Sequence, residues 1–398
     1  MKLSSLVKKM KPSPTLALAA KAKELKAQGE DVVALSVGEP DWNTLEPICR
    51  AGIEAIEQGF TKYSPASGHP ELRKTVAEDI AQFLSASFEM DNVSVTSGAK
   101  YSIFSAMSCI IDAGDKVGIL CPYWVSYPTM VELCGGEPVF IASSAENNFK
   151  VRPIDLDTAL AKGLKMVLLN SPSNPSGMMY SLEELKSLGE VLKRYPDTWI
   201  LTDDIYSRLV FDVARAPHLL QAHPDLKDRV VMIDGASKSY SMTGWRVGWA
   251  IGPKDLIKAM NSYQSQTVSC AATFSQIASV VAIKETQAMV RESVKSLQTR
   301  KDYFKNLLAD IPGIKVFEPD GTFYFWVGIE DLIGKDFNGK KINDSADFSN
   351  FLLESEKLVA VPGKEFGLDG YLRMSFAVAE ETLDKAVAKL SSFVKKLG

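Results

Sequence analysis

The sequence predicts an α/β fold, in which a large domain has a mainly parallel sheet between helices and a second, smaller domain is α+β. Strand and helix patterns alternate between residues 93 and 263, as they do in sheets built from parallel strands. After residue 309 the pattern changes to a few strands and two helices, which is typical of an α+β unit. A chain of 398 residues is also too long for one ordinary hydrophobic core.

The individual elements are predicted from apolar periodicity and from the positions of glycine and proline. A helix at 15–28 and a strand at 32–37 come first. Strands of the large domain are expected at 93–96, 116–121, 137–142, 165–170, 198–203, 229–234 and 247–251. Its helices are expected at 47–58, 70–87, 99–111, 124–134, 181–194 and 253–263. A long helical region at 274–309 is followed by strands at 314–317, 322–328 and 371–376 and helices at 345–355 and 380–396.

These elements divide the chain into three parts. Residues 1–44 form an N-terminal arm and part of the small domain, 45–285 form the large domain, and 286–398 form the small C-terminal domain. Because ligand sites occur preferentially between domains, the cleft facing the large sheet is the expected site.

Composition excludes several classes of protein. The net charge of -4 and the pI near 5.7 give no basic surface for nucleic acid. No apolar run approaches the roughly 18 residues that a membrane span requires. Five scattered cysteines without a C-x-x-C pair indicate reduced thiols, a cytoplasmic protein and no zinc site. With only three histidines, none near a serine elbow, we expect neither histidine-based hydrolysis nor a catalytic metal.

The most informative segment is 235–248, GASKSYSMTGWRVG, which follows an apolar strand. A lysine amine attacks carbonyl groups well only when burial or a neighbouring cation lowers its pKa, and both are plausible at Lys238. Arg246 is a permanent cation suited to bidentate binding of phosphate. A nucleophilic lysine close to a phosphate-binding arginine suggests pyridoxal phosphate as the cofactor. Taken alone, Lys238 is equally compatible with a surface lysine on a turn of small residues.

Two junctions between strands and following segments are candidates for binding groups. In TSGAK, 96–100, a helix begins directly after a strand, and the free N–H groups of Gly98, Ala99 and Lys100 suit a phosphate. An ordinary helix cap at Ser97 is the alternative. In NSPSNPSG, 170–177, two X-Pro steps direct Asn174 away from the carboxyl end of a buried strand, where ligands bind in α/β sheets. The alternative is a proline-rich connector.

Two charged residues on strands are further candidates. Asp203, at the end of strand 198–203, is placed to pair with a protonated pyridine nitrogen, which would strengthen the ring as an electron acceptor. It is also compatible with a helix cap. Arg373 lies within strand 371–376 and requires an anionic partner or a path to solvent. An edge-strand arginine is the alternative there.

In this order, the motifs resemble those of the fold-type I, class I/II aminotransferases over nearly the whole chain, and most closely those of the bacterial aspartate aminotransferases of subgroup Ib. The resemblance implies that 45–285 is a PLP-binding domain and that Lys238 forms the Schiff base and moves protons. It also implies ping-pong transfer of an amino group from an L-amino acid, here aspartate, to a 2-oxo acid, here 2-oxoglutarate.

The resemblance assigns further roles residue by residue. The phosphate is expected to contact the 98–100 junction, Ser237 and Arg246, and Trp124 is expected to stack on the cofactor ring. Asn174 and Tyr206 are expected at its phenolic oxygen, with Asp203 at its ring nitrogen. The substrate carboxylate is expected at Arg373, Asn174 and Gly38. Tyr63 is expected to reach the neighbouring subunit's phosphate, which implies a homodimer with shared active sites.

Two departures from the family pattern affect these expectations. Gly235 stands where many relatives have a phosphate-binding serine, so that contact is lost or passes to Ser237. No arginine lies between Arg246 and Arg291 to read a distal substrate carboxylate. In subgroup Ib, residues at the positions of Lys100 and Ser13 serve instead, although Lys100 is also compatible with a solvated helix face.

Other activities fit the same motifs. Aminotransferases for prephenate, aromatic amino acids, alanine or kynurenine, and a PLP-dependent β-lyase, would use the same cofactor site. A non-catalytic ligand-sensing domain is a third alternative, but it predicts either a DNA-binding module or a damaged catalytic set. The resemblance begins near residue 10, and the catalytic set is present, with Lys238, Asp203, Tyr206 and Arg373.

Overall fold

The computed structural model describes residues 2–4 and 14–398. The α-helices are α1 (Pro14–Ala27), α2 (Glu46–Glu57), α3 (Pro70–Leu84), α4 (Ala99–Ile110), α5 (Tyr127–Leu133), α6 (Pro153–Leu160), α7 (Leu182–Lys193), α8 (Leu219–Ala222), α9 (Lys254–Ser265), α10 (Thr273–Glu285), α11 (Gln287–Ala309), α12 (Ser345–Glu356) and α13 (Glu380–Lys395). The strands are β1 (Val33–Ala34), β2 (Val93–Thr96), β3 (Lys116–Leu120), β4 (Glu137–Ile141), β5 (Leu164–Asn170), β6 (Trp199–Asp203), β7 (Val230–Gly235), β8 (Gly248–Ile251), β9 (Lys315–Phe317), β10 (Tyr324–Gly328), β11 (Asp336–Phe337), β12 (Lys340–Lys341), β13 (Leu358–Val359), β14 (Val361–Pro362) and β15 (Tyr371–Ser375).

A seven-stranded sheet forms the centre of the large domain. Its strand order is β2-β8-β7-β6-β5-β3-β4, and only β8 runs antiparallel to its neighbours. The predicted α/β fold with a mainly parallel sheet is therefore confirmed. Because β5, β6 and β7 are parallel, their carboxyl ends lie side by side, with Asn170 opposite Asp203 in the register.

The strands of this sheet are apolar on both faces. On β5, Met166 and Leu168 belong to a buried cluster with α4, α5 and α9, whereas Val167 and Leu169 belong to the cluster on the other face. Helices cover both faces, which explains why the central strands are continuous apolar runs instead of alternating patterns. Among the helices of the described residues, none is both long and apolar enough to cross a membrane.

The small domain combines both ends of the described chain. An antiparallel sheet of order β14-β15-β10-β9 forms its centre, and α12 and α13 pack together beside it. Close to the N-terminus, β1 pairs in parallel with β13, so that Val33 lies opposite Leu358. The domain boundaries after residues 44 and 285 remain predictions, although α10 does end at Glu285.

Several predicted boundaries differ from the structure for identifiable reasons. The predicted strand at 32–37 is only Val33–Ala34, because the partner changes at Leu35. The backbone nitrogen of Leu35 still donates to Val359 of β13, but its carbonyl oxygen accepts from the backbone nitrogen of Ser375 of β15. The helical region 274–309 is two helices, interrupted at Thr286 with ψ of 9°. Helix α6 was not predicted. It begins at Pro153 and presents only a short buried face.

Two glycines allow the backbone of β8 to lie directly against the start of α4. A Cβ atom on Gly248 would overlap the backbone nitrogen of Ala99 and lie 2.6 Å from the carbonyl carbon of Gly98. A Cβ atom on Gly235, the last residue of β7 and the partner of Gly248 in the register, would lie 3.0 Å from the Cα atom of Gly248. The obstacles are backbone atoms, which cannot move aside as a side chain would.

We therefore predict that Gly248→Ala displaces the start of α4. Because overpacking of this kind costs about 1–3 kcal/mol, the free energy of unfolding should fall by that amount in urea denaturation. Gly244→Ala is the matched control, since no atom lies within 4 Å of its would-be Cβ. Equal stability of the two variants would contradict the steric argument.

Candidate active site

A cleft of about 490 Å³ opens at the carboxyl ends of β5, β6 and β7, between the sheet and the small domain. Most of its lining comes from the carboxyl ends of parallel strands and the segments that follow them, which is where ligands bind in α/β sheets. The lining residues are Ser36, Val37, Gly38, Glu39, Ala99, Lys100, Ile103, Trp124, Asn170, Asn174, Asp203, Ile205, Tyr206, Ser237, Lys238, Thr243, Arg246, Tyr324 and Arg373.

Lys238 reaches this cleft from the loop that follows β7. Its Nζ donates a hydrogen bond to the carbonyl oxygen of Gly38 at 2.5 Å. The pKa of Lys238 is lowered to about 8, chiefly by burial; Glu39 opposes this shift, and the charges of Arg373 and Arg246 contribute to it. A minority of this amine is therefore neutral near physiological pH, a far larger fraction than in an ordinary lysine, and the neutral form is the one that a nucleophile or a proton acceptor requires.

Arg246 and the start of α4 form a pocket for an anion. Gly98 has φ of +94° and caps the helix, and a Cβ there would lie 2.7 Å from Nη2 of Arg246. The absence of a side chain at Gly98 thus lets the guanidinium approach the free N–H groups of the first helical turn. Arg246 donates to the carbonyl oxygen of Thr243 at 2.9 Å, and Ser237 is buried nearby in the cleft wall.

Asp203 ends β6 with a buried carboxyl group. The Tyr127 hydroxyl donates to its Oδ2 at 2.6 Å, and the backbone nitrogen of Ile205 lies 3.4 Å from Oδ1. Burial raises the pKa of Asp203 to about 6, with the Tyr127 hydrogen bond acting in the opposite direction. A cationic partner in the cleft would favour the ionised form of this carboxyl group.

Asn170 connects the ends of β5 and β6 with the loop that carries Asn174. Its Nδ2 donates to the backbone oxygen of Asp203 at 2.8 Å, and its Oδ1 accepts from the backbone nitrogen of Asn174 at 2.8 Å. One side chain therefore fixes the position of two predicted site residues.

Arg373 enters the cleft from β15 of the small domain. Its Nη1 donates to Oδ1 of Asn174 at 3.0 Å and its Nη2 to the carbonyl oxygen of Ser36 at 2.9 Å. The guanidinium also lies over the ring of Tyr324, 4.2 Å from its centroid. Its Nε and the hydroxyl of Ser36 are buried without a hydrogen-bond partner among the described residues. The site therefore has spare hydrogen-bonding capacity that a carboxylate would satisfy.

Two tyrosines meet above the sheet. The hydroxyl oxygens of Tyr206 and Tyr324 are 3.2 Å apart, and burial raises the pKa of both groups. Both therefore remain neutral, so that each hydroxyl is able to donate a hydrogen bond.

Lys100 lies in the wall of the cleft, in the first turn of α4. Its Nζ is 4.8 Å from the centroid of the Trp124 ring, and burial together with the charge of Arg246 lowers its pKa. Within the described part of the chain, none of the four cations of the cleft forms an ion pair; they are Lys100, Lys238, Arg246 and Arg373.

The structure brings most of the predicted site residues into one cleft. Gly98 borders the cleft at Arg246, as described above. Tyr63 is not in the cleft, and its side chain is 90% exposed on the surface. Ser13 lies outside the described residues.

Several residues in and behind the cleft wall were not predicted, and four of them make contacts that bear on the site. Glu39 lines the cleft and accepts a hydrogen bond from Thr243 at 2.8 Å. Asn170 and Tyr127 belong to motifs used above, at the end of a strand and three residues after Trp124, and those positions were the available signal. Tyr324 lies in the uniformly aromatic run FYFW, which gave no signal.

The fold and the cleft together define a two-domain α/β protein in which a lysine of lowered pKa shares a cleft with three other cations. A model of the family described as aminotransferase class I and II matches residues 30–390. The chain therefore belongs to the class I and II aminotransferases.

Relatives agree with this assignment. The chain is 41% identical over 396 residues to the aspartate/prephenate aminotransferase of Nitrosomonas europaea, covering 99% of this chain and 100% of that protein. It is 40% identical to a probable aspartate/prephenate aminotransferase of Rickettsia felis, covering 98% and 95%. The crystal structure of an aspartate aminotransferase from Rhizobium meliloti matches with a TM-score of 0.96 at 40% identity, covering all of both chains. A Thermus thermophilus aspartate aminotransferase solved with maleate matches with a TM-score of 0.92 at 35% identity, covering 99% of this chain and 100% of that one.

We predict that Lys238 reacts with a small aldehyde at a pH well below that required by an ordinary lysine. Because only the neutral amine reacts, labelling in the presence of cyanoborohydride should be half-maximal at about pH 8. Peptide mass spectrometry at a series of pH values measures this midpoint.

Charge variants test the cause of the shift. Glu39→Gln should move the midpoint to lower pH, because Glu39 raises the pKa of Lys238, and Arg246→Met should move it to higher pH. A midpoint near 10.5 in the unmodified protein would show that burial has no such effect.

Proposed function

We propose that this chain uses pyridoxal phosphate in the cleft to move an amino group between aspartate and 2-oxoglutarate. The observation that carries the proposal is the position of Lys238. Its half-buried amine has a pKa lowered to about 8 and lies in a cleft with three other cations that have no carboxylate partner among the described residues. The cations of such a cleft suit a substrate and a cofactor that are both anionic, and its neutral amine suits a ligand that carries a reactive carbonyl group.

The residues present fit the cofactor. Its phosphate would be held by Arg246, Ser237 and the first N–H groups of α4, where Gly98 leaves room for the guanidinium. Trp124 would lie against the ring, Asn174 and Tyr206 near its phenolic oxygen, and Asp203 at its nitrogen. When bound, pyridoxal phosphate supplies an acceptor for the electron pair left at the substrate Cα atom.

The remaining chemistry belongs to side chains of this protein. Lys238 would take the proton from the Cα atom of the amino donor and, when the 2-oxo acid is aminated, would deliver a proton to the Cα atom of the new amino acid. Its lowered pKa suits both tasks near neutral pH. Arg373 would bind the substrate α-carboxylate, since its Nε is buried without a partner among the described residues, and Asn174 already accepts from its Nη1. The backbone of Gly38 lies close by, because its oxygen accepts from Lys238.

Lys100 is the proposed reader of a second, distal carboxylate. It carries a cationic group at the wall of the cleft and has no ion-pair partner among the described residues. Ser13 would share this role. Related proteins support the choice of substrate, because several are named for aspartate and one was solved with maleate, a dicarboxylate.

Prephenate is a second candidate acceptor. Relatives at about 40% identity are named aspartate/prephenate aminotransferases, and prephenate also carries two carboxylates. The cleft of about 490 Å³ is large enough for a ring of that size.

A single-turnover experiment tests the proposed reaction. Purified protein loaded with pyridoxal phosphate is mixed separately with aspartate, glutamate, alanine and phenylalanine, and the absorbance of the bound cofactor is followed. We predict fast conversion with aspartate and glutamate only. Lys100→Met should slow the reaction of aspartate about 10- to 100-fold, as expected for loss of a hydrogen bond to a charged group, and leave alanine unchanged.

Two controls accompany this prediction. Lys116→Met removes an exposed lysine at the opposite edge of the sheet and should change nothing. The loaded protein converted by aspartate is then mixed with prephenate or 2-oxoglutarate to compare acceptors. Equal rates with phenylalanine and aspartate would refute the dicarboxylate assignment, and no conversion with any amino acid would refute amino transfer.

We also propose that the protein is a homodimer whose sites are completed by Tyr63 of the neighbouring subunit. Helix α2 packs one face against α10, while Ile53 and Ile56 on its other face are exposed. The segment that carries Tyr63 is hydrogen-bonded to the first residue of α10: the hydroxyl of Thr273 donates to the carbonyl oxygen of Lys62, next to Tyr63, at 2.7 Å. This apolar surface supports association with a second copy.

The dimer can be tested by charge substitution. We predict that Ile53→Glu together with Ile56→Glu shifts the protein from dimer to monomer in analytical ultracentrifugation, because burial of two carboxylates in an apolar interface is unfavourable. Ile154→Glu is the matched control, since Ile154 is 61% exposed and Ile53 is 58% exposed. A monomeric unmodified protein, or an unchanged dimer in the double variant, would contradict the proposal.

The proposed location is the cytoplasm. All five cysteines have free thiols in the structure, which supports a reducing compartment. The proposed partners are accordingly small amino and 2-oxo acids and a second copy of the chain.

A further inference from the structure

The carboxyl group of Asp203 is held from the protein side by a tyrosine that does not line the cleft. We propose that Tyr127 is a positioning residue, whose hydroxyl fixes the orientation of the Asp203 carboxylate and keeps that group ionised opposite the cofactor's ring nitrogen. The hydroxyl donates to Oδ2 at 2.6 Å, and the two residues are 2% and 5% exposed. This inference rests on the proposed use of pyridoxal phosphate.

Local structure holds Tyr127 at this point. It is the first residue of α5, and its backbone nitrogen donates to the carbonyl oxygen of Trp124 at 3.0 Å. The two rings meet edge to face, with centroids 5.3 Å apart at 86°. One short turn therefore places Trp124 in the cleft wall and Tyr127 behind Asp203.

The hydrogen bond leaves one oxygen of Asp203 for the cleft. Tyr127 is the only side chain of the described residues that donates to this carboxyl group, and it occupies Oδ2. The other oxygen, Oδ1, has only the long contact of 3.4 Å with the backbone of Ile205. A carboxylate fixed through one oxygen presents the other in a defined direction, as a partner in the cleft requires.

Among the groups around Asp203, Tyr127 does most to lower the pKa of its carboxyl group. Burial raises the pKa of Asp203, and the adjacent Asp204 raises it further; the Tyr127 hydrogen bond and the more distant charge of Lys238 lower it. Tyr206 also faces the carboxyl group, but burial keeps its hydroxyl neutral. Burial likewise raises the pKa of Tyr127 far above its ordinary value, so it remains a hydrogen-bond donor throughout the working pH range.

The test is Tyr127→Phe in protein loaded with nitrogen-15-labelled pyridoxal phosphate. Without the donor, the carboxyl group becomes more basic and draws the proton away from the ring nitrogen. The ring-nitrogen NMR signal should therefore move toward that of unprotonated pyridine, and kcat should fall at least about tenfold with little change in KM. An unmoved signal in Tyr127→Phe would overturn the proposal.

Tyr180→Phe is the matched control. Its hydroxyl is also buried and lines the same small internal cavity as Tyr127, but it accepts from the backbone nitrogen of Val151 at 2.7 Å and does not contact Asp203. This variant should leave the ring-nitrogen signal in place. A signal that moves equally in both variants would overturn the proposal, because the effect would then come from packing.

A double-mutant cycle shows whether Tyr127 acts through Asp203. In the Asp203→Asn background, Tyr127→Phe should cause no further loss of kcat, whereas an undiminished loss would overturn the proposal. The Asp203→Asn variant also separates the two claims. If that substitution leaves the ring-nitrogen signal unchanged, or if the unmodified protein holds no cofactor, the proposed function fails as well.

If Tyr127→Phe does not fold, a fluorinated tyrosine at position 127 provides a second test, because it keeps the shape of the side chain. A fluorinated tyrosine at position 127 is a stronger acid and hence a stronger donor, so the ring-nitrogen signal should move the opposite way, toward the protonated form. No movement, or movement toward the unprotonated form, would overturn the proposal.

Discussion

The architecture depends on one buried guanidinium, that of Arg373, because three distant parts of the chain meet there. Asn174 in the loop after β5 and the backbone of Ser36 near the N-terminus accept its hydrogen bonds, and Tyr324 of β10 provides an aromatic face. A buried charge is tolerated only when such partners surround it. The position of the small domain relative to the sheet is therefore tied to the same contacts that shape the substrate end of the cleft.

The cleft carries an excess of positive charge, whereas the whole chain is negatively charged. The protein has a net charge of -4, yet four cations converge on the cleft, with Glu39 and Asp203 as its two acidic groups. Like charges brought together in a partly buried site repel each other, and this cost is offset only when anions bind. Burial lowers the pKa of Lys238 and of Lys100, and the same repulsion adds to the shift, so the crowded cleft both selects anionic ligands and prepares the reactive amine.

The sequence was sufficient where local pattern determines structure. Strands β5, β6 and β7 are apolar runs followed by glycine, proline or acidic residues, and parallel pairing then places Asp203 near Lys238 without further information. Contacts between side chains far apart in sequence were not predictable in this way. Tyr127 lies 76 positions from Asp203, and Tyr324 lies 118 positions from Tyr206. The interruption at Thr286 was missed because the apolar periodicity continues across it.

The pairing of β1 with β13 has a consequence for how the protein is made. Val33 leaves the ribosome early, but its strand partner Leu358 is near the end of the chain. At about 5–20 residues per second, the N-terminal strand waits on the order of tens of seconds for its neighbour, while the large domain between them is already able to fold. During synthesis, the half-site contributed by Ser36 and Gly38 therefore forms last. The cleft is complete only when β13 and Arg373, which are synthesised late, pack against the segment 33–38, which is synthesised early.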